Sequence, residues 1–230
     1  MDRCENNRKV ALSRWRNVRQ RDEAHLLTRS IEPEYLMHFV RLLAYIAGDG
    51  SITVNRKKNK EFGHVEIRFY PDDPALIPLF ITSFQYLYRR TPSVKMEHNH
   101  YRIHVSSQVA GTHLLSYGIL TSTGWRVPFS LLTSPKLKQE WLRAFFDCEG
   151  YVGVNCIRAE SVNEKGLDDV QKLLRDCGIV CRRYVYVRKN KNWGVNYILN
   201  IGTAPARKQF LEQIGFSHTS KNNTLRSQLS

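Results

Sequence analysis

Several short stretches of the chain alternate apolar and polar residues, which predicts β-strands that bury one face. In residues 64–70 every second side chain is apolar, and the side chains between them are charged, polar or hydroxyl-bearing. Residues 101–106 follow the same rule, and residues 181–188 place Cys181, Val185 and Val187 opposite arginines and tyrosines. Each strand is expected to bury its apolar face and to expose cations, hydroxyls and amides.

Two further segments are apolar nearly all round, which predicts buried helices. LLAYIAGDGSI covers residues 42–52 and LRAFFDCEGYV covers residues 142–152, an offset of 100 positions. In both, an acidic residue followed by glycine ends the helix, and a β-prone run follows. Pro33 is expected at the first position of the first helix, and Ser134 with Pro135 as N-cap and first position of the second. The terminal glycines are expected in the left-handed conformation.

The two segments open two halves in which the same elements recur in the same order. The matched pairs are helices at 76–87 and 168–180, strands at 100–107 and 195–202, and terminal helical segments at 114–120 and 210–216. Each half therefore reads helix, two strands, helix, two strands, helix. The predicted fold class is α+β, with two pseudo-twofold-related repeats whose antiparallel sheets form a saddle. The predicted divisions are a basic N-terminal extension (1–30), a first repeat (31–122), a linker (123–133) and a second repeat (134–230).

The net charge of the chain indicates what kind of partner it binds. The 230 residues carry 35 lysines and arginines against 21 acids, a net charge of +14. Such a surplus indicates a polyanion, with nucleic acid favoured over a membrane surface, although a merely basic surface is the alternative. The longest apolar stretch, residues 36–48, is interrupted by His38 and Arg41 and is too short to cross a bilayer. The five cysteines lack zinc-site spacing, so we expect an intracellular, nucleoid-associated protein with reduced thiols.

Two regions of this basic chain leave alternatives open. Residues 1–30 are rich in arginine and weakly amphipathic, which is consistent with a helix packed on the body or with an arm along a phosphate backbone. The polar strand faces could be ordinary solvated surfaces. The shortage of carboxylates on these faces favours nucleic-acid binding, because a solvated face usually mixes both signs of charge.

The duplicated helix ends suggest a chemical centre. Small residues in both apolar helices permit close approach, and two such helices side by side would bring Asp49 and Glu149 together. Two carboxylates repel unless a cation lies between them, and oxygen ligands favour Mg²⁺ or Mn²⁺. An acid followed by glycine is also a common turn pair. Its duplication at matched positions favours a functional pair, as in metal-assisted phosphodiester hydrolysis.

LLAYIAGDG and LRAFFDCEG resemble two copies of the LAGLIDADG motif, and residues 33–230 are similar to single-chain, double-motif LAGLIDADG homing endonucleases, such as those encoded in archaeal introns. The resemblance implies a monomeric, site-specific enzyme that makes a staggered break with short 3′ overhangs in a long, pseudo-palindromic double-stranded DNA target. It implies two or three divalent ions between the motif helices, Mg²⁺ with Mn²⁺ as a substitute. An RNA maturase acting on its own intron RNA, or a non-cleaving nucleic-acid-binding protein of the same fold, is the alternative.

The resemblance also assigns residues. Asp49 and Glu149 match the metal-binding acids, with the backbone carbonyls of Gly48 and Cys148 as further ligands. Lys221 matches the basic catalytic residue after the last helix of the second repeat. The first repeat has no lysine there, and Arg126 is the nearest substitute.

Two further roles are expected on the strands and after them. The water-positioning residues are expected among four side chains that follow the second strand of each repeat, namely Tyr70 or Asp72 in the first and Ser161 or Asn163 in the second. The polar strand faces are expected to read base edges in the major groove. The candidates for this contact are Lys57, Arg68, Lys95, Arg102, His104, Arg158, Arg182, Arg188, Asn196 and Asn200.

Overall fold

The computed structural model of the protein describes residues 3–30, 32–55, 64–97, 100–118, 121–187 and 195–230. A long helix precedes the first half, and a short one follows the second. The elements of the N-terminal part are α1 (Arg3–Arg29), α2 (Tyr35–Ala47), β1 (Gly50–Asn55), β2 (His64–Phe69), α3 (Leu76–Tyr88), β3 (Ser93–Glu97), β4 (His100–Ser106) and α4 (Gln108–Leu115). Those of the C-terminal part are α5 (Pro135–Glu149), β5 (Gly150–Gly153), β6 (Cys156–Ser161), α6 (Glu164–Asp176), β7 (Arg182–Val187), β8 (Val195–Ile201), α7 (Ala204–Gln213) and α8 (Thr219–Leu229).

Two four-stranded antiparallel sheets confirm the predicted α+β fold and its internal repeat. The strand order is β1-β2-β4-β3 in the first sheet and β5-β6-β8-β7 in the second, so the two halves share one topology. The predicted inward side chains of β2, Val65, Ile67 and Phe69, are buried. Among the described residues, no helix has both the length and the apolar character needed to span a bilayer.

The two motif helices, α2 and α5, pack side by side in the centre of the protein, as predicted. Ala44, Ala47 and Ala144 are buried along this contact. In its middle, Nε of Arg41 on α2 lies 2.5 Å from a carboxylate oxygen of Glu140 on α5. The contact persists to the helix ends, so the two helices run parallel and finish together.

The terminal glycines of the motif helices are not left-handed, which corrects the prediction. Gly50, which follows Asp49, is not among the described glycines with a positive φ, and Gly150, which follows Glu149, has φ −79°. Space explains their presence, because a Cβ on Gly50 would lie 2.5 Å from Cα of Ile46, and one on Gly150 would lie 2.2 Å from the carbonyl oxygen of Phe146. Gly48, just before Asp49, is confined as well, since its Cβ would lie 2.5 Å from Cβ of Cys148. Glycine is therefore needed here for close approach rather than for a positive φ.

The predicted helix starts are confirmed at one motif and wrong at the other. The Ser134 hydroxyl accepts a hydrogen bond from the amide of Leu137, with proline directly following as predicted. Pro33 lies outside α2, whose N-cap is Glu34. The last helix of each repeat also begins earlier than predicted, because Ser107 and Thr203 cap α4 and α7. As a result, residues 114–118 and 210–216 cover mainly helix ends and the turns after them, while residues 119–120 of the first predicted segment lie outside the described residues.

The N-terminal segment is a helix packed on the body, which is one of its two predicted forms. Helix α1 lies against α3 and α4. The carboxylate of Asp22 on α1 accepts two hydrogen bonds from Arg90, at 3.1 and 2.5 Å, and His25 contacts the carbonyl oxygen of Tyr86 at 3.1 Å. Helix α3 is apolar on most sides, and α1 covers part of the surface that it would otherwise expose.

One strand departs from the predicted burial. Val185 and Val187 on β7 are 56% and 69% exposed, although they alternate with tyrosines as expected. β7 is the edge strand of the second sheet, and α6 packs mainly beneath its neighbour β8. The inner face of β7 therefore extends beyond the helical layer.

We expect Gly48→Ala to lower the free energy of unfolding by about 1–3 kcal/mol, because the added methyl group must displace Cys148 or separate the motif helices. Gly202→Ala is the matched control, since its new methyl group would meet only the end of the Asn200 side chain, at 3.1 Å. We expect the control to change stability by less than about 0.5 kcal/mol. Urea unfolding of both variants measures the difference, and equal stabilities would contradict the packing argument.

Candidate active site

The ends of the motif helices place two acids at one point. The hypothetical Cβ of Gly48, next to Asp49 in the chain, would lie 3.6 Å from Cγ of Glu149. The carbonyl oxygen of Asp49 accepts a hydrogen bond from the amide of Tyr70 at 3.0 Å, which fixes the turn between α2 and the first sheet. The fold thus brings together the two acids that the repeat singled out.

The electrostatics of the pair are unfavourable for two negative charges. Burial, followed by the charge of Asp49, raises the pKa of Glu149 to about 7. Burial, with the charge of Asp72 next in importance, raises the pKa of Asp49. A cation between the two carboxylates would remove this penalty.

The donor set fits a hard divalent cation. Asp49 and Glu149 supply carboxylate oxygens, and the backbone carbonyls of Gly48 and Cys148 lie at the same helix ends. Within the described ranges, no three His, Cys, Asp or Glu side chains converge as a complete metal cage. Mg²⁺ commonly takes one or two protein carboxylates and completes its coordination with water and substrate phosphates. The residues present therefore fit a divalent cation that the protein coordinates only in part.

Lys221, in the first turn of α8, reaches these acids. Its Nζ donates to the carbonyl oxygens of Asp147 and Cys148, at 2.5 and 3.2 Å. Its charge lowers the pKa of both Asp49 and Glu149 against the larger effect of burial. The predicted metal ligand Cys148 thus already uses its carbonyl oxygen in a contact with the predicted catalytic lysine.

Arg126, the predicted substitute for a lysine in the first half, is held elsewhere. Its guanidinium makes two hydrogen bonds to the carboxylate of Asp169 on α6, at 2.5 and 2.9 Å. The same carboxylate accepts the amide of Val127 at 3.3 Å. The structure does not bring Arg126 to the acids, because this cross-half ion pair fixes its direction.

The four candidates for water positioning have different surroundings. The Asp72 carboxylate lies 3.7 Å from Nζ of Lys221 and acts on Asp49 through its charge. Asn163 is buried and uses both ends of its amide, since its oxygen caps α6 and its nitrogen donates to the carbonyl oxygen of Trp125 at 2.6 Å. The Ser161 hydroxyl accepts the amide of Asn163, and Tyr70 is exposed.

Three residues near the acids, Asp147, Asp73 and His218, escape sequence reasoning. Asp147 is fully buried, with its pKa raised to about 6 by burial, and it accepts the amides of Ser217 and His218 at 2.8 and 2.9 Å. Asp73, from the loop after β2, contacts His218 and the amide of Thr219. Asp147 could have been noticed as an acid of the second motif copy without a counterpart in the first. Asp73 and His218 carry no such signal, because only the folded chain brings them together.

The candidate DNA-contacting residues fall into cross-strand groups. Arg68 stands opposite His104, Lys95 stands opposite Arg102, and Asn200 stands opposite both Arg158 and Arg182. The shortage of carboxylates holds only in part, because Glu66 pairs with Arg68 and Glu97 with Arg102. Asn196 is only 9% exposed, so it is poorly placed for a direct base contact. Lys57 and Arg188 lie outside the described residues.

Known proteins support this assignment of the fold. Residues 136–215 match the LAGLIDADG-like domain. The homing endonuclease I-DmoI in complex with DNA and Mn is 17% identical, with a TM-score of 0.61 over 78% of this chain and 97% of that one. Other similar structures contain I-DmoI with its target DNA and Mg, or with DNA and Ca. The N-terminal LAGLIDADG domain of WhiA is 16% identical, with a TM-score of 0.53 over 84% of this chain and 91% of that one.

A curated relative is also similar in sequence. The replication factor C small subunit of Methanocaldococcus jannaschii is 26% identical over 194 residues, which are 83% of this chain. The chain spans about a tenth of the length of that relative. In this chain, residues 136–215 are similar to the LAGLIDADG-like domain, and the described residues share the fold of I-DmoI, with one motif helix in each half.

Proposed function

We propose that the protein is a site-specific homing endonuclease that makes a staggered double-strand break, with short 3′ overhangs, in a long pseudo-palindromic DNA target. The observation that carries the proposal is the pair of partly buried carboxylates, Asp49 and Glu149, at the ends of two parallel motif helices with Lys221 beside them. The I-DmoI structures with DNA and Mn, Mg or Ca support a divalent ion as cofactor. The single chain with two motifs supports action as a monomer, and intron homing is part of the same proposal.

Each part of the chain has a distinct task in this reaction. The polar faces of the two sheets bind the duplex and read it through the cross-strand groups, including Arg158, Arg182 and Asn200. Asp49 and Glu149 would hold divalent ions, and such ions would supply activation of a water molecule and stabilisation of the leaving 3′ oxygen. Lys221 places a positive charge where the phosphate gains negative charge in the transition state. The products carry 5′-phosphate and 3′-hydroxyl ends.

The proposal is tested by incubating the protein with a randomised duplex library and Mg²⁺ and sequencing the cut ends. We expect enrichment of one long site with 3′ overhangs. The control proteins are Asp49→Asn and Glu149→Gln, which keep the shape of each side chain but weaken its hold on a cation. They should bind the enriched site with affinity within a few-fold of the parent and fail to cut at least one strand. Binding without any cleavage by the parent protein would favour a maturase or another nucleic-acid-binding role.

Lys221→Ala should slow single-turnover cleavage by about a hundredfold while DNA affinity changes by less than about threefold. Loss of one exposed phosphate-binding charge would instead weaken binding. Lys208→Ala is the charge-matched control, because Lys208 is exposed on α7, where its nearest acid is Glu212 at 4.0 Å. An unchanged cleavage rate in Lys221→Ala would exclude a role for its charge in the reaction.

The raised pKa of Glu149 predicts how stability depends on pH in the metal-free protein. Between about pH 4.5, its ordinary value, and about pH 7, the folded state keeps a proton that the unfolded chain has released. The free energy of unfolding should therefore fall as pH rises through this window, by about 1–3 kcal/mol more in the parent than in Glu149→Gln. Denaturant unfolding measures the difference, and Glu160→Gln, at an exposed glutamate of β6, is the control. Saturating Mg²⁺ should reduce the fall, because cation binding removes the same proton.

A further inference from the structure

The first turn of α8, which carries Lys221, is held by carboxylates from both halves of the protein. Asp147, near the end of α5, accepts the amides of Ser217 and His218. Asp73, from the loop between β2 and α3 in the first half, accepts the amide of Thr219 at 2.8 Å and lies 3.0 Å from Nδ1 of His218. The segment that delivers the lysine is thus fixed on two sides.

Asp73 helps to cap the start of α8, where the helix's own N-cap residue makes only a weak contact. The N-cap of α8 is His218, whose ring nitrogen is 3.4 Å from the amide of Lys221, a long contact. The first amides of a helix otherwise lack partners, and a carboxylate there also interacts favourably with the helix dipole. Burial alone would raise the pKa of Asp73, but hydrogen bonds from Ala75 and Thr219 and the nearby His218 lower it below its ordinary value. The carboxylate is therefore stabilised in its charged form.

The Asp73 carboxylate, called the anchor below, is itself held by hydrogen bonds. Oδ1 of Asp73 accepts the amide of Ala75 at 2.8 Å, which closes the turn before α3, while Oδ2 faces α8. Both carboxylate oxygens are used, and the side chain is only 10% exposed. Because Asp73 is fixed within the first half, its hydrogen bond to Thr219 holds α8 in place relative to that half.

The second half contains a counterpart of Asp73, namely Asn163, but this residue holds a different segment of the chain. Asn163, also just after a second strand, holds the carbonyl oxygen of Trp125 in the segment that follows α4. Nearby, Asp169 binds Arg126. Each half thus holds the segment that follows the last repeat helix of the other. Of these two loops, the one with Asp73 holds a segment that carries a cation, Lys221, to the motif acids. The other holds a segment whose cation, Arg126, is paired with Asp169.

From this geometry we propose that Asp73 is a positioning residue that sets Lys221 against the motif acids from the opposite half. The proposal rests on the proposed nuclease function for its kinetic consequence. Among the described residues, Lys221 is the one cation whose charge lowers the pKa of Asp49 and Glu149, so loss of Asp73 should impair one strand more than the other.

The test measures single-turnover cleavage of each strand with strand-specific labels. Asp73→Ala should slow one strand by about tenfold to a hundredfold, so that nicked duplex accumulates, and Lys221→Ala should slow the same strand. The double variant should be no slower than Lys221→Ala alone, because Asp73 acts through that lysine. Asp73→Asn, which keeps an oxygen acceptor, should recover most of the loss.

Asp169→Ala is the matched control, since Asp169 also joins the halves through a carboxylate, and its side chain is 12% exposed. It should lower stability to a similar extent without changing the ratio of the two strand rates. Equal slowing of both strands in Asp73→Ala, or additive effects in the double variant, would overturn the proposal.

A second measurement separates this inference from the nuclease function. Amide hydrogen exchange in residues 217–222 should accelerate in Asp73→Ala and stay near the parent rate in Asp169→Ala. If the parent protein cleaves no DNA, the nuclease function fails while the exchange experiment still tests the anchor. If the parent cleaves and exchange in Asp73→Ala is unchanged, the anchor is wrong and the nuclease function stands.

Discussion

The close contact between α2 and α5 determines where everything else in the protein can lie. Gly48 meets Cys148 with no room for another carbon atom, and the approach is continuous back to the ion pair of Arg41 and Glu140. Because each helix leads directly into its own sheet, this contact also sets the spacing of the two sheets. The acids at the helix ends are brought together in a partly buried position as a consequence, and their raised pKa values reflect the loss of solvent around them. The contact between α2 and α5 therefore determines both the packing of the two halves and the position of the two acids.

The two halves share a topology but differ in how they use it. The first half has α1 packed over α3, whereas α6 in the second half carries a polar outer face, over which the described residues place no comparable helix. The segments after the last repeat helices differ as well. One continues into α8 and directs Lys221 to the acids, and the other directs Arg126 into an ion pair with Asp169. The internal symmetry describes the backbone better than it describes the charged side chains.

Features encoded in local patterns could be predicted, and features created by tertiary contact could not. The repeated element order, the parallel motif helices and the capping by Ser134 follow from periodicity and capping chemistry. The exposure of Val185 depends on how far α6 extends beneath the sheet, which alternation along a strand does not report. The same holds for the site. Asp49 and Glu149 stand out by repetition, but the contacts that Asp73 and Asp147 make with residues 217–219 require both halves to be folded.

The cross-strand groups on the two sheets have a consequence for how recognition can change. In the first sheet Arg68 stands opposite His104, while in the second Asn200 stands between Arg158 and Arg182. In a dimer of identical subunits, every substitution would appear twice and alter both ends of a target at once. Here each position occurs once, so on the proposed function mutation and selection can alter one half of the target while the other half continues to hold the duplex. The fusion of two repeats in one chain thus makes each half-site independently evolvable.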